Sequence, residues 1–168
     1  GAKLVGIEPS CVLGFLGDFE DLSSMPDKAR KISENTMLIE QFFMYAVETN
    51  GDVKFSNPPE GKRAVFHGHC HQKSLLGTST AMEVLTRIPG LKSVEIKSGC
   101  CGMAGSFGFY KEHYEISMEI GELSLFPAIR KEEEDVIVIS EGVSCRQQIQ
   151  QGTSKISRHL VEVLAEYL

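Results

Sequence analysis

Four short apolar runs in this 168-residue chain each stop a few residues before a cysteine. Residues 3–7 precede Cys11, residues 64–66 precede Cys70, residues 94–96 precede Cys100 and Cys101, and residues 136–139 precede Cys145. The last run is Val-Ile-Val-Ile, the composition of a parallel strand buried on both faces. Helical patterns lie between the runs. In residues 26–49, Ala29, Ile32, Met37, Ile39, Phe42, Phe43 and Ala46 recur at near-helical spacing. Residues 78–87 read as a helix ended by Pro89-Gly90, and residues 107–130 as two helices with a break expected at Pro127. Residues 159–168 close the chain with Leu160, Val161, Leu164 and Leu168 on one apolar side. Residues 53–55 are a weaker strand candidate between turn sequences, and the charge run 131–135 reads as a solvated helix end. This alternation predicts an α/β layered fold, a mostly parallel sheet flanked by helices. The carboxyl ends of parallel strands share one edge, where ligands bind, so the cysteines are expected on loops at that edge.

The length suits one domain, and a chain of this size buries roughly 70% of its unfolded surface, so no metal or disulfide is needed to make a core. With 42% hydrophobic and 24% charged residues the composition is globular. The net charge of −6 argues against a nucleic-acid partner. No apolar run approaches the ~20 residues of a membrane span, and the first residues lack a secretory pattern, so the cytoplasm is the expected compartment. A chain that opens directly into a strand is expected to be a fragment of something longer.

The five cysteines, an odd number with one adjacent pair, do not read as a secreted disulfide framework. Three readings remain open: a metal or cluster site, a redox thiol pair, or thiols that only pack. Adjacent cysteines are poor partners for a mutual disulfide but can reach different irons of one cluster. Gly99, Gly102, Gly105 and Gly108 would let backbone approach a bulky cofactor and point amides at anionic sulfur. His67, His69 and His71 alternate around Cys70. Extended, they would share one face opposite Cys70; zinc would accept such a Cys/His set, though no zinc-finger spacing is present. Equally, one or two of them could cap the following helix. His113 and His159 fall on predicted helices and read as surface or packing residues. Residues 102–108 are glycine-rich without being a nucleotide fingerprint, and Ser106 lacks a nucleophile elbow. A pairing of Cys70 with His113 for nucleophilic chemistry has nothing to select it. Residues 3–11 and 136–145 echo one another as strand, acidic residue, turn and Ser-Cys.

At Gly99-Cys100-Cys101-Gly102-Met103-Ala104-Gly105, His69-Cys70-His71-Gln72-Lys73 and Glu8-Pro9-Ser10-Cys11, the sequence resembles the cysteine-rich CCG domain of iron–sulfur oxidoreductases. That family includes a subunit of heterodisulfide reductase and the third subunit of anaerobic glycerol-3-phosphate dehydrogenase. The strongest likeness is to the C-terminal region of FAD-linked oxidases of the D-lactate and glycolate dehydrogenase type. The family pattern is a cysteine, a Cys-Cys pair about thirty residues on, and a final Cys-x-x-Cys, usually present twice.

The resemblance implies that Cys70, Cys100, Cys101 and Cys145 form one copy, with Gly142 where the first cysteine of the final motif would stand. Cys11 would then end a preceding copy, making residues 1–25 the close of that repeat and residues 62–168 the second. It implies an iron–sulfur cluster of the 4Fe-4S type on those four thiolates. Cys11, His69 and His71 are possible additional ligands, and zinc is the alternative metal. FAD would sit on a separate domain. Implied partners are flavin and ferredoxin-like domains of the parent chain or complex, which could hold it peripherally at the inner membrane. A homodimer across a surface opened by truncation, and a thiol–disulfide domain, are further expectations.

Overall fold

A computed structural model describes residues 2–168. In chain order the elements are β1 (Leu4–Gly6), α1 (Pro9–Val12), α2 (Asp18–Leu22), α3 (Pro26–Ser33), β2 (Thr36–Leu38), α4 (Ile39–Asn50) and β3 (Arg63–His67). There follow α5 (Cys70–Leu75), α6 (Ser79–Thr86), β4 (Lys92–Glu95), α7 (Tyr114–Glu122), α8 (Leu125–Arg130), β5 (Ile137–Ser140), α9 (Val143–Thr153), β6 (Ser157–Arg158) and α10 (Leu160–Tyr167). Short 3-10 turns occupy 13–16, 107–109 and 111–113.

Four strands form one parallel sheet in the order β4-β3-β5-β6, with Val65 opposite Val138 at its centre. Side chains alternate across that sheet as the period of two requires. Ala64, Phe66, Ile137 and Ile139 face one helical layer, packing with Val84, Leu85 and Ile88 of the α6 region and Leu160, Val163 and Leu164 of α10. Val65 and Val138 face the other, against Leu125, Phe126 and Ile129 of α8 and Ile149 of α9. Both central strands are therefore covered twice, which is why β5 needs four apolar or small residues in a row. The result is the α/β layered fold with a parallel sheet flanked by helices.

The amino-terminal region is a second, two-stranded parallel sheet, β1 with β2 in register Leu4 to Thr36, over a small cluster of Val12, Leu13 and Leu38. Here the structure corrects the sequence pattern. Residues 26–49 are not one helix: Asn35 turns the chain, its N–H donating to Ile32 O, and Thr36–Leu38 is a strand made by pairing with β1. Residues 53–55 form no strand; Phe55 packs on Phe43 with ring centroids 5.9 Å apart, and Ser56 donates to Tyr167 O. Residues 107–113 make 3-10 turns rather than helix, and the break falls at Leu123–Ser124. Pro127 lies inside the first turn of α8, where its missing N–H removes no hydrogen bond.

Candidate metal centre

The carboxyl ends of β3, β4 and β5 lead directly to Cys70, Cys100–Cys101 and Cys145. Cys70 is the first residue of α5, and Cys145 is the third residue of α9. Cys11 holds the corresponding third position of α1, after Glu8 as Gly142 precedes α9. A cavity of about 420 Å³ is lined by Cys70, Cys100, Cys101 and Cys145 together with His69 and His71. Cys11 is exposed and does not line it, although its neighbour Ser10 does. Exposure decreases inward, from Cys70 through half-buried Cys100 to buried Cys101 and Cys145.

The loop carrying the adjacent cysteines is fastened from three helices. Lys73 of α5 donates through Nζ to Ser98 O at 2.6 Å and Gly99 O at 3.1 Å. Ser117 of α7 donates to Gly102 O at 2.9 Å, and Gln148 of α9 donates to Ser117 O at 2.9 Å. Gly102 has φ +104°, and a Cβ there would lie 2.0 Å from Ser117 O, so only glycine permits this approach. Its N–H points at Cys100 Sγ, 3.3 Å away, as an amide donor to sulfur. Lys73, Ser117 and Gln148 have no motif signal; each is recognisable only once the helices are packed.

The three clustered histidines are not extended along one face. The chain turns at Gly68, where a Cβ would meet Thr78 at 2.4 Å, and α5 begins at Cys70. His69 caps that helix: Nδ1 accepts from His71 N–H at 3.2 Å, while Gln72 Oε1 accepts from His69 N–H at 3.2 Å. His69 Nε2 is left near residue 142, and a Cβ on Gly142 would lie 2.6 Å from His69 Cδ2 and 3.1 Å from Cys145 Sγ. The His69 ring therefore fills the space that a side chain at 142 would need. His159 is buried, not a surface residue; it caps α10 in the same manner, and its Nε2 contacts Ile7 O at 2.7 Å. His113 stacks on Phe107 at 4.0 Å.

His67 ends β3 at 1% exposure. Its Nδ1 is 2.8 Å from Ser98 Oγ, and Nε2 has no hydrogen-bond partner. A ring nitrogen of His67 and the sulfurs of Cys101 and Cys145 all lie within 4.8 Å of one another. Burial above all, with the nearby charges of Lys73 and His69, lowers His67 to about 3. The ring is neutral at physiological pH.

The thiols resist ionising together. Cys100 is raised by hydrogen bonding with the Cys101 thiol and then by burial. In Cys101 the hydrogen bond with Cys100 lowers the pKa, but those with Cys145 and burial outweigh it and push it up to about 12. Burial raises Cys70, with Cys100 adding to it. A cation is what this crowded, half-dry donor set accommodates best, since it replaces the thiol protons and neutralises the sulfurs. The residues present thus fit a thiolate-bound metal group.

Beneath the site lies a buried carboxyl pair. Gln72 donates from Nε2 to Glu40 Oε1 and Glu141 Oε2, each at 2.6 Å, and both acids are nearly inaccessible. Burial raises both; the charge of Glu40 raises Glu141 further.

Residues 64–150 match the family described as "CCG: Cysteine-rich domain". The chain is 37% identical over 106 residues to the third subunit of the anaerobic glycerol-3-phosphate dehydrogenase of Escherichia coli, covering 63% of this chain and 26% of that protein. It is 27% identical over 169 residues to D-2-hydroxyglutarate dehydrogenase of Pseudomonas putida, covering 99% of this chain and 15% of the relative. Lactate utilization protein A of Bacillus licheniformis shares 27% identity over 92 residues, 53% of this chain and 37% of the relative. The chain spans about a quarter of the length of the first of these and less of the second. No solved structure matches it.

Proposed function

Because the chain belongs to the CCG cysteine-rich domain family, we propose that it is an iron–sulfur-binding electron-transfer module of an FAD-linked oxidoreductase acting on a 2-hydroxyacid-type substrate. The observation that carries this reading is the convergence of Cys70, Cys100, Cys101 and Cys145 on one cavity at the carboxyl edge of a parallel sheet. The dehydrogenase names of the relatives support the redox assignment, and D-2-hydroxyglutarate supports the substrate class.

The four thiolates would hold a cluster of the 4Fe-4S type. When bound, that group supplies a one-electron relay. The chain's own residues do the rest. Lys73 and Ser117 fix the loop that carries two of the thiols, and the Gly102 amide offers hydrogen-bonding toward Cys100 sulfur. The apolar layer of Met103, Leu125 and Ile149 keeps the inner thiols dry. Hydride chemistry belongs to flavin on another domain, and flavin and ferredoxin-like domains of the same chain or complex are the partners in this reading. No helix among the described residues is long and apolar enough to cross a membrane.

Anaerobic purification or reconstitution, followed by iron, sulfide and zinc analysis and visible spectroscopy, tests the reading. Iron with matching sulfide and a broad band near about 400 nm that bleaches on reduction is the expected result. Zinc alone, without sulfide, would replace it with a structural metal domain.

A further inference from the structure

We infer that His67 is a metal ligand, binding through Nε2 beside Cys101 and Cys145, so that the centre has a mixed nitrogen–sulfur donor set at its inner end. This rests on the metal-centre reading above and adds a residue to it.

The five histidines differ in what each has left to offer a metal. His69 and His159 both spend Nδ1 accepting a helix N-terminal N–H. In the neutral ring the proton is then on Nε2, and no lone pair remains for a metal. His113 is stacked on Phe107 away from the thiols, and His71 is exposed at the cavity mouth. His67 differs in each respect. It is buried, its Nδ1 faces a hydroxyl that can accept the ring proton, and Nε2 is an orphan.

That arrangement is what a ligating imidazole requires. Metal-bound histidines usually donate their other ring N–H to an oxygen, which fixes the tautomer and the ring plane. Ser98 supplies the oxygen, and it sits in the loop that carries Cys100 and Cys101. A buried ring nitrogen with no partner is costly unless something occupies it. The sulfurs of Cys101 and Cys145 are close enough to share a metal with it. His67 stands behind the cavity rather than on its wall, so it would hold the innermost metal position. Gly142 leaves one sulfur fewer than the paired cysteines of the resembled pattern, and His67 restores the ligand count from a different strand.

The test uses the whole chain labelled with ¹⁵N-histidine, loaded anaerobically with iron and sulfide, reduced, and examined by pulsed electron paramagnetic resonance. The expected result is the strong coupling of a directly bonded imidazole nitrogen in the wild type and in His69→Gln. It should vanish in His67→Cys, which still takes up iron because it remains a ligand. A loaded wild type showing only weak nitrogen couplings would overturn the assignment while leaving the iron–sulfur reading intact. If the wild type takes up no iron and sulfide, that reading fails by itself. The trio is then judged by cobalt(II) titration: affinity falling at least about tenfold in His67→Asn sustains it, and unchanged affinity refutes it.

Discussion

The carboxylate of Glu8 accepts a hydrogen bond from the backbone N–H of Val143 at 2.8 Å, joining residues 135 positions apart. Helix α9 starts at Gly142, which has no side chain to cap it, so its first N–H is satisfied from the amino-terminal region. Two residues further into that helix is Cys145.

Replacing Glu8 by Ala should therefore cost about 0.5–2 kcal/mol, the range for a lost N-terminal cap. Urea unfolding measures the loss, and amide exchange at residues 143–146 should accelerate ahead of the β3 and β5 amides. Uniform acceleration through the sheet would show that Glu8 does not act on α9.

Substituting Gly142 tests the occupancy of its space by His69. The Gly142→Ala methyl would press on His69 Cδ2 and approach Cys145 Sγ, an overpacking expected to cost about 1–3 kcal/mol. Adding His69→Ala should recover much of that in the double variant, because the two side chains compete for one volume. Additive losses in the unfolding midpoints would contradict this geometry.

Stability should decline as pH rises, through the pair Glu40 and Glu141. Both are raised in the folded state by burial, so folding keeps protons that the unfolded chain gives up above the ordinary carboxylate range. Their contribution is complete at pH below that range and is lost progressively as pH climbs toward the raised folded-state values. Glu141→Gln keeps an acceptor for Gln72 and removes one titration. Its unfolding free energy should slope less with pH than the wild type between pH 5 and pH 9, up to about 1.4 kcal/mol per pH unit for one proton.

Serine replacements separate the cysteines. Cys70→Ser, Cys100→Ser, Cys101→Ser and Cys145→Ser should each reduce the iron retained after desalting severalfold, whereas Cys11→Ser should not. Lys73→Met should leave initial iron uptake near normal and speed its loss, since it frees the Ser98 and Gly99 carbonyls without touching a thiol.

The central sheet was legible in the sequence because β3 and β5 carry their identity locally: both are short apolar runs covered on both faces. Thr36–Leu38 was not. Its apolar spacing continues that of α4, and only pairing with Leu4–Gly6, more than thirty residues away, makes it a strand. The thiols at the sheet edge follow from strand ends, so the cavity-lining set of four could be read in advance. Cys11 was placed with them because it also follows a strand, but α1 leaves it exposed outside the lining. His67 was visible only as one of three similar residues. What distinguishes it is a partner for one ring nitrogen and none for the other, a property of packed atoms rather than of spacing.

The four cavity thiols come from three strand ends, and apart from the adjacent pair they are 30 and 44 residues apart in the chain. No excised peptide of a few residues could reproduce that donor set, unlike a zinc finger, whose spacing travels with the segment. Parallel pairing of β3 with β4 and β5 must come first, so assembly runs from polypeptide to metal rather than the reverse. Once seated, the metal group would act as a rivet through all three connections, and its removal should open them together. Grafting this centre onto another protein would mean carrying over the sheet itself.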